Sequence, residues 1–400
     1  LGTVLQIGKV TQIGKVTEPS TRNFFGSGVR GTTALSMKGF DISFYSCISA
    51  AHKSIAEYSS KLFGYRCNYL LVPQTIEFDY YHPLSKPFIV NYDSYAPQKE
   101  LIVNDNGDFL YYGMLEAYAK INGNYVVYDP QNHKSFKDTG STAKHLAIIL
   151  NKKEAQLLSK TKNENLKTIG RELLESENAE VVVIKNGAHG ALVFYEDDIQ
   201  EIPVFKTDSV WPIGSGDVFS AVFSWKWIIE KKKPFESALS ASMLTAYYCQ
   251  SKHLPVIEQL EPLKPIEIKK SVKNIYLAGP FFTIAERWLI NELRNSLLDF
   301  GNEVFSPWHD VGVISSSDVH SESKNIAEKD LAGIDNCEVV LAILSAMDAG
   351  TLFEIGYAIA KNKKVVVLSE NVNDNDLTML IGTGCEITND IATAVYKASW

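Results

Sequence analysis

Six consecutive apolar residues, Val339–Leu344, are followed within a few positions by Asp348-Ala349-Gly350-Thr351-Leu352-Phe353-Glu354-Ile355-Gly356-Tyr357, which opens a helical pattern running to Ala360. An apolar run of this length reads as a buried strand, and strands handing over to helices build parallel sheets covered by helices. Asp348 and Glu354 therefore fall at the strand-to-helix junction, where open parallel sheets bind ligands. A carboxylate in the first turn of a helix is held ionised by the helix dipole, so Glu354 is expected to be a ready anion, able to attack an electron-poor sugar carbon. A structural reading stands beside it. Thr351 and Glu354 have the spacing of a capping box, in which the glutamate serves only a backbone amide of its own helix.

The same alternation surrounds this stretch. Residues 274–280 read as a strand entering a glycine turn; Thr283 and Glu286 form a capping box; Leu289, Leu293, Leu297 and Phe300 make an apolar stripe that stops at Gly301. A strand at 303–306 leads into a polar loop with His309 and Asp310, a helix at 325–334 carries Asp330, and another strand spans 364–368. This order predicts a doubly wound parallel sheet of flavodoxin-like type, with Tyr276, Asp330, Asp348 and Glu354 gathered at or near one sheet edge.

The upstream part begins with a tandem hexapeptide, residues 6–11 repeated as 12–17, which reads as a strand or hairpin at a sheet edge. A glycine-rich stretch, Phe25-Gly26-Ser27-Gly28-Val29-Arg30-Gly31-Thr32, then runs into a helix ending near Gly39; its glycines either admit a ligand close to the backbone or simply make the turn. Beyond Asp129-Pro130 the pattern is helix, strand at 145–150, helix at 154–158, helix through Leu174 and strand at 181–184, again a helix-covered parallel sheet. Gly214-Ser215-Gly216-Asp217 precedes the apolar stretch 218–229, read as a buried helix. Amides at such a helix start make an anion hole, and Asp217 is placed to take a proton from an attacking hydroxyl. Asp217 as a plain N-cap is the structural alternative.

The balance of 47 acidic against 39 basic residues, net -8, argues against a broad nucleic-acid surface, which needs excess Lys and Arg. Five scattered cysteines suggest neither a zinc site nor a disulfide framework, as expected of a cytoplasmic protein. No apolar run reaches the roughly 18 to 20 residues of a membrane span. Lys9 and Lys15 break what a signal peptide would keep apolar, and the sequence opens at Leu1, so native sequence is expected to precede it.

Motifs in both halves resemble known families. Tyr128-Asp129-Pro130-Gln131-Asn132, Asn151-Lys152-Lys153-Glu154, Lys185-Asn186-Gly187-Ala188-His189-Gly190 and Gly214-Ser215-Gly216-Asp217 resemble, in order and spacing, the PfkB (ribokinase-like) family of carbohydrate and nucleoside kinases over roughly residues 20–255. The resemblance implies a ribokinase-like α/β/α fold using ATP and Mg²⁺, with Asp217 as catalytic base and Gly214, Ser215 and Gly216 as the anion hole. It further implies that Asn151 and Glu154 organise Mg²⁺ indirectly, that Gly187 and Gly190 lie in the nucleotide loop, and that Gly28 and Thr32 bind the acceptor. Trp211-Pro212-Ile213 stands where the family usually has Asp-Thr-Thr.

Tyr276-Leu277-Ala278-Gly279-Pro280-Phe281, Lys329-Asp330-Leu331 with Gly333-Ile334, and the Asp348 stretch make residues 272–400 similar to the nucleoside 2-deoxyribosyltransferase family. That likeness implies that Glu354 is the nucleophile at C1′ of a 2′-deoxynucleoside and Tyr276 orients it. Asp348 and Asp330 would position or protonate the base, Gly279 and Pro280 would shape the pocket floor, and no cofactor would be needed. Some members donate an asparagine from a neighbouring subunit, for which Asn371, Asn373 and Asn375 are candidates, and a homo-oligomer is expected.

The sequence thus leads us to expect a kinase domain at 1–255, a Pro- and charge-rich linker at 256–271 and a smaller doubly wound domain at 272–400. Together they would form a bifunctional enzyme of nucleoside or sugar salvage acting on a nucleoside, nucleobase or sugar, with no nucleic-acid or membrane partner. Two alternatives stand beside it: a silent nucleotide-sensing or dimerisation module upstream, and a nucleoside hydrolase downstream.

Overall fold

The structure is a computed structural model and describes residues 3–13, 16–91, 99–103, 107–131, 134–160, 165–258, 260–267, 272–313, 319–370 and 372–400. The chain divides into two compact units, Leu1–Thr207 with Trp211–Ile266, and Glu267–Trp400 with Asp208–Val210.

The larger unit is built on a six-stranded sheet in the order Asp198–Ile202, Ala191–Tyr195, Val181–Lys185, Thr142–Asn151, Asn122–Asp129, Gly107–Tyr112. Its last four strands are parallel and the other two antiparallel. Successive residues of a strand face opposite ways, and here both faces are apolar. Val127, Ala147, Ile149, Val181 and Val183 pack with Val218, Val222 and Leu244 of the helices Ser215–Ser224 and Pro234–Ser251. Val126, Ile148, Leu150, Val182 and Ile184 pack with Ala155, Ile169 and Leu173 of the helices Lys152–Leu158 and Leu166–Glu177. An α/β/α sandwich results.

The hexapeptide copies enter an antiparallel pair, Thr3–Ile13 with Val16–Asn23, and the latter is the edge strand of a four-stranded sheet, as the sequence leads one to expect. Other expectations shift. Between Pro130 and Thr142, where a helix was expected, the described residues hold only a 3₁₀ turn, Lys137–Thr139. The glycine-rich stretch is itself helix, Ser27–Leu35, so Gly28 and Gly31 lie inside it. There a methyl group at either would press on Phe44 or Tyr112, both at 2.5 Å, which makes close packing the reason for these glycines. Residues read as linker are stitched to the larger unit as far as Ile266: Val256 is buried and Pro265 bridges Phe205.

The smaller unit holds five parallel strands in the order Glu303–Phe305, Asn274–Ala278, Val339–Leu344, Lys364–Ser369, Glu386–Thr388. Counted along this unit that is 2-1-3-4-5, the flavodoxin-type doubly wound order, whose ligand crevice opens at the carboxyl ends of the first and third strands. The helices Val319–Asn336 and Ala349–Ala360 pack together, as do Ile284–Asp299 and Ile391–Ser399. The Thr283–Glu286 capping box forms, and Gly301 follows the helix with a left-handed φ of 87°. Where a polar loop was read at His309 and Asp310 there is a short helix, Pro307–Asp310. Among the described residues no helix is long and apolar enough to cross a membrane.

Candidate functional sites

In the smaller unit Tyr276 lies in mid-strand, fully buried, its ring stacked on Phe305 with centroids 5.4 Å apart. Its hydroxyl donates to Glu354 Oε1 at 2.6 Å. Glu354 is not in the first turn of its helix. The helix Ala349–Ala360 is capped by Asp348, whose Oδ2 accepts from the Thr351 amide at 2.7 Å and the Thr351 hydroxyl at 2.8 Å. Both expectations for Glu354 therefore change. Thr351 spends itself on Asp348 and makes no box with Glu354. The glutamate, a turn further in, is not a dipole-stabilised anion, because burial pushes its carboxyl up to about 7; the Tyr276 phenol opposes that shift, while Asp330 and Asp348 add to it.

Asp330 belongs to the helix Val319–Asn336; burial pushes it up to about 6, and its Oδ1 is buried without a hydrogen-bond partner. Gly279 and Pro280 are buried just past the first strand, and a side chain at Gly279 would begin 3.0 Å from Ile343. An aromatic group that the sequence reading passed over follows two neighbouring strands at the same edge: Phe281 and Trp308 lie 5.7 Å apart, with Arg287 over the Trp308 ring. Asn373 and Asn375 are exposed, and Asn371 lies outside the described residues.

In the larger unit Asp217 is the third residue of its helix and not its cap, a position filled by Gly214 in a left-handed conformation. Asp217 is buried, and both carboxylate oxygens are taken, Oδ2 by Arg30 Nη1 at 2.5 Å and Oδ1 by Gln131 Nε2 at 2.7 Å. Ser215 and Gly216 open the same helix, and Gly216 leaves room for Lys185, whose Nζ would be 3.1 Å from a methyl group there. Lys185 in turn donates to buried Asp129 at 3.0 Å, and Ser220 donates to the same oxygen. Arg30, Gln131, Lys185 and Asp129 were not singled out from sequence as site residues. The signal was present for Asp129, Gln131 and Lys185, which lie within the quoted motifs, whereas Arg30 meets Asp217 across 187 positions.

Other expected residues have local work. Asn151 and Glu154 cap the helix Lys152–Leu158 reciprocally, and burial beside Asp129 raises the Glu154 carboxyl to about 7. Gly187 and Gly190 take left-handed conformations in a tight turn, and any side chain at Gly190 would strike the Ile202 carbonyl. Thr32 donates its hydroxyl to the Gly28 carbonyl within their own helix, so the expected acceptor residues serve the helix, while Arg30 beside them reaches Asp217.

Comparison with known proteins divides the chain in the same two parts. Residues 102–253 match the family model of the pfkB family carbohydrate kinases, and residues 275–389 that of nucleoside 2-deoxyribosyltransferase. A 2-dehydro-3-deoxygalactonokinase of Haloferax volcanii is 36% identical over 107 residues, 27% of this chain and 32% of that protein. An uncharacterized protein of Ureaplasma parvum is 30% identical over 110 residues, 24% of this chain and 66% of its own length. The chain thus spans about a third and about two thirds of these relatives. A nucleoside kinase of Methanocaldococcus jannaschii, an archaeal member of the ribokinase family, superimposes with a TM-score of 0.45 at 15% identity, over 62% of this chain and 89% of that one.

Proposed function

We propose that this chain, in which a pfkB family carbohydrate kinase domain precedes a nucleoside 2-deoxyribosyltransferase domain, is a bifunctional enzyme whose two modules, residues 1–255 and 272–400, act on nucleosides or sugars. In the second module Glu354 attacks C1′ of a 2′-deoxynucleoside, and the electrons of the N-glycosidic bond leave with the base. We assign the departing base's proton to Asp330, a carboxyl that burial keeps partly protonated near pH 6. The ester left on Glu354 is opened by a second base, giving transfer, or by water, giving hydrolysis. The observation that carries this reading is the 2.6 Å bond from Tyr276 to Glu354 beside the unpartnered oxygen of Asp330. The phenol steers one carboxylate oxygen and leaves the other to react. Incubation with a panel of 2′-deoxynucleosides, with and without a free base, tests it. Base release by the wild type that Glu354→Ala matches would sink the assignment.

In the first module Asp217 serves as base for the hydroxyl that receives the γ-phosphate of ATP, and the amides of Gly214, Ser215 and Gly216 receive the transferred phosphoryl group. Among the described residues no group of three carboxylate, His or Cys side chains could hold a metal alone. The residues fit a Mg²⁺ ion that arrives with the nucleotide, steadied by Asn151 and Glu154, because the Glu154 carboxyl stays raised beside Asp129 even with Lys185 near it, so a further cation would be welcome there. When bound, Mg²⁺ supplies neutralisation of the phosphate charge. Loss of ATP-dependent phosphorylation in Asp217→Asn is expected. A second reading, a nucleotide-binding module without turnover, draws on the occupied Asp217 oxygens. Thermal stabilisation by ATP without its consumption would favour it.

A further inference from the structure

The parallel strands Ser43–Ser49 and Arg66–Val72 of the larger unit are joined by the helix Lys53–Phe63 and form a two-stranded sheet of their own. Successive residues of a strand face opposite ways. Cys67 and Tyr69 face one side, where they pack with Phe44, Tyr65 and Ala56 of the helix, while Leu70 and Val72 pack into the core on the other. Lys53, Glu57 and Ser60, spaced at i, i+4 and i+7, turn one side of the helix toward the strand. Between helix and strand runs a groove of about 670 Å³, within the roughly 300 to 1,000 Å³ of small-molecule sites.

Two phenols line this groove with nothing to bond to. Tyr65 is 5% exposed, and its hydroxyl is buried without a hydrogen-bond partner; the Tyr69 hydroxyl is buried in the same condition. Native proteins hold few such groups, because a donor that gives up water and finds no acceptor is costly. Tyr65 and Tyr69 lie close enough to act on each other, and the polar neighbour they share is the Cys67 thiol, too weak an acceptor to stand in for water. Burial raises all three groups, so each is neutral and offers a hydrogen. Two cations and one acid line the groove beside them. Lys53 meets Glu57 at 3.7 Å with both about half exposed, a weak pair that is easily exchanged. Arg66 donates to Asp41 from one nitrogen and to Ser43 from another, which leaves further N–H groups of its fork.

We propose that this groove binds a small organic acid, whose carboxylate accepts from Tyr65 and Tyr69 and whose charge is matched by Lys53 and Arg66. One carboxylate brings two oxygens to two donors, and hydrogen bonds to an ionised acceptor are about twice as strong as neutral ones. The carbon frame of the acid lies on Leu71 and the phenol rings, which offer nothing to inorganic phosphate. The residues named here are not those that gather around Asp217. The site therefore stands whether or not the larger unit transfers phosphate.

The test is calorimetry and thermal shift on the full chain, using benzoate, cyclohexanecarboxylate and succinate beside benzamide, cyclohexanecarboxamide and succinamide, with inorganic phosphate as a further arm. At least one acid is expected to bind with a Kd below about 1 mM and about 10-fold or more tightly than its amide. Tyr65→Phe should weaken that acid by about 10- to 100-fold, and Tyr65→Phe with Tyr69→Phe should abolish the thermal shift. Lys53→Gln should weaken the acid about threefold and leave the amide unchanged. The melting temperature of the free protein should not fall in Tyr65→Phe, because the hydroxyl removed has no partner there. Equal affinity for acids and amides, no stabilisation by any acid at about 10 mM, or a preference for phosphate overturns the proposal. So does acid binding that survives the double Tyr→Phe variant, which would place the acid elsewhere. A free Tyr65→Phe protein that melts earlier also overturns it, by showing that the hydroxyl already has its acceptor.

Discussion

Two carboxylates, one in each unit, are held in opposite ways, Asp217 buried and Glu354 half-buried. Glu354 meets a neutral phenol, keeps one oxygen uncommitted and is pushed up to about 7 by burial. Asp217 meets a guanidinium on one oxygen and an amide on the other. The difference teaches that burial alone does not make a reactive carboxylate. A nucleophile is best served by a donor that orients it without neutralising it, whereas an acid beside a guanidinium is held in place by charge.

The largest test of that contrast is a pair of substitutions read on both activities. Glu354→Ala is expected to cut base release by about a thousandfold or more and leave ATP consumption alone, whereas Asp217→Asn should cut phosphate transfer by about 10²- to 10⁴-fold and leave base release alone. Cross-effects measured in coupled and uncoupled assays would break it.

Stability comes next, and its signs should differ. Asp217→Asn strands a buried guanidinium and is expected to lose about 3–5 kcal/mol in denaturant melts. Glu354 binds its proton more tightly folded than unfolded, so its contribution is most favourable below about pH 4.5 and is lost as pH rises through about 7. Glu354→Gln should therefore stabilise the protein at pH 8, by about 3 kcal/mol at most, and have little effect at pH 4. Equal melting temperatures at both pH values would contradict the buried-acid account.

Smaller effects concern the phenol and the cap. Base release should follow a bell in pH with limbs near 6 and 7, values that belong to the coupled pair Asp330 and Glu354. Tyr276→Phe removes the donor that holds Glu354 down, so it should slow base release about tenfold and shift the profile of the Glu354 carboxyl to higher pH. Asp348→Ala should cost about 1 kcal/mol through the lost cap, with the phenol contact kept.

Much of the smaller unit could be read from sequence because its signals are local. The Val339–Leu344 strand and the Thr283–Glu286 box rest on neighbouring residues alone. The start of the Glu354 helix was misread because two acids and a threonine offer two caps, and the earlier one, Asp348, captures both Thr351 donors. The strand Glu386–Thr388 and the helices Thr378–Gly382 and Ile391–Ser399 went unread, two of them being only three and five residues long. In the larger unit the clamp on Asp217 joins residues 187 and 86 positions apart, and no local pattern announces such a pairing. Gly28 and Gly31 read as part of a turn, whether or not a ligand approaches it, because a glycine chosen for a close aromatic neighbour has the same letter as one chosen for a loop.

The most direct measurement is mass spectrometry of the protein quenched with acid during turnover of a 2′-deoxynucleoside, followed by peptide mapping. The account predicts a deoxyribosyl adduct on the peptide containing Glu354, absent in Glu354→Gln. Sustained base release with no adduct at any point of the time course, undiminished in that variant, would contradict it.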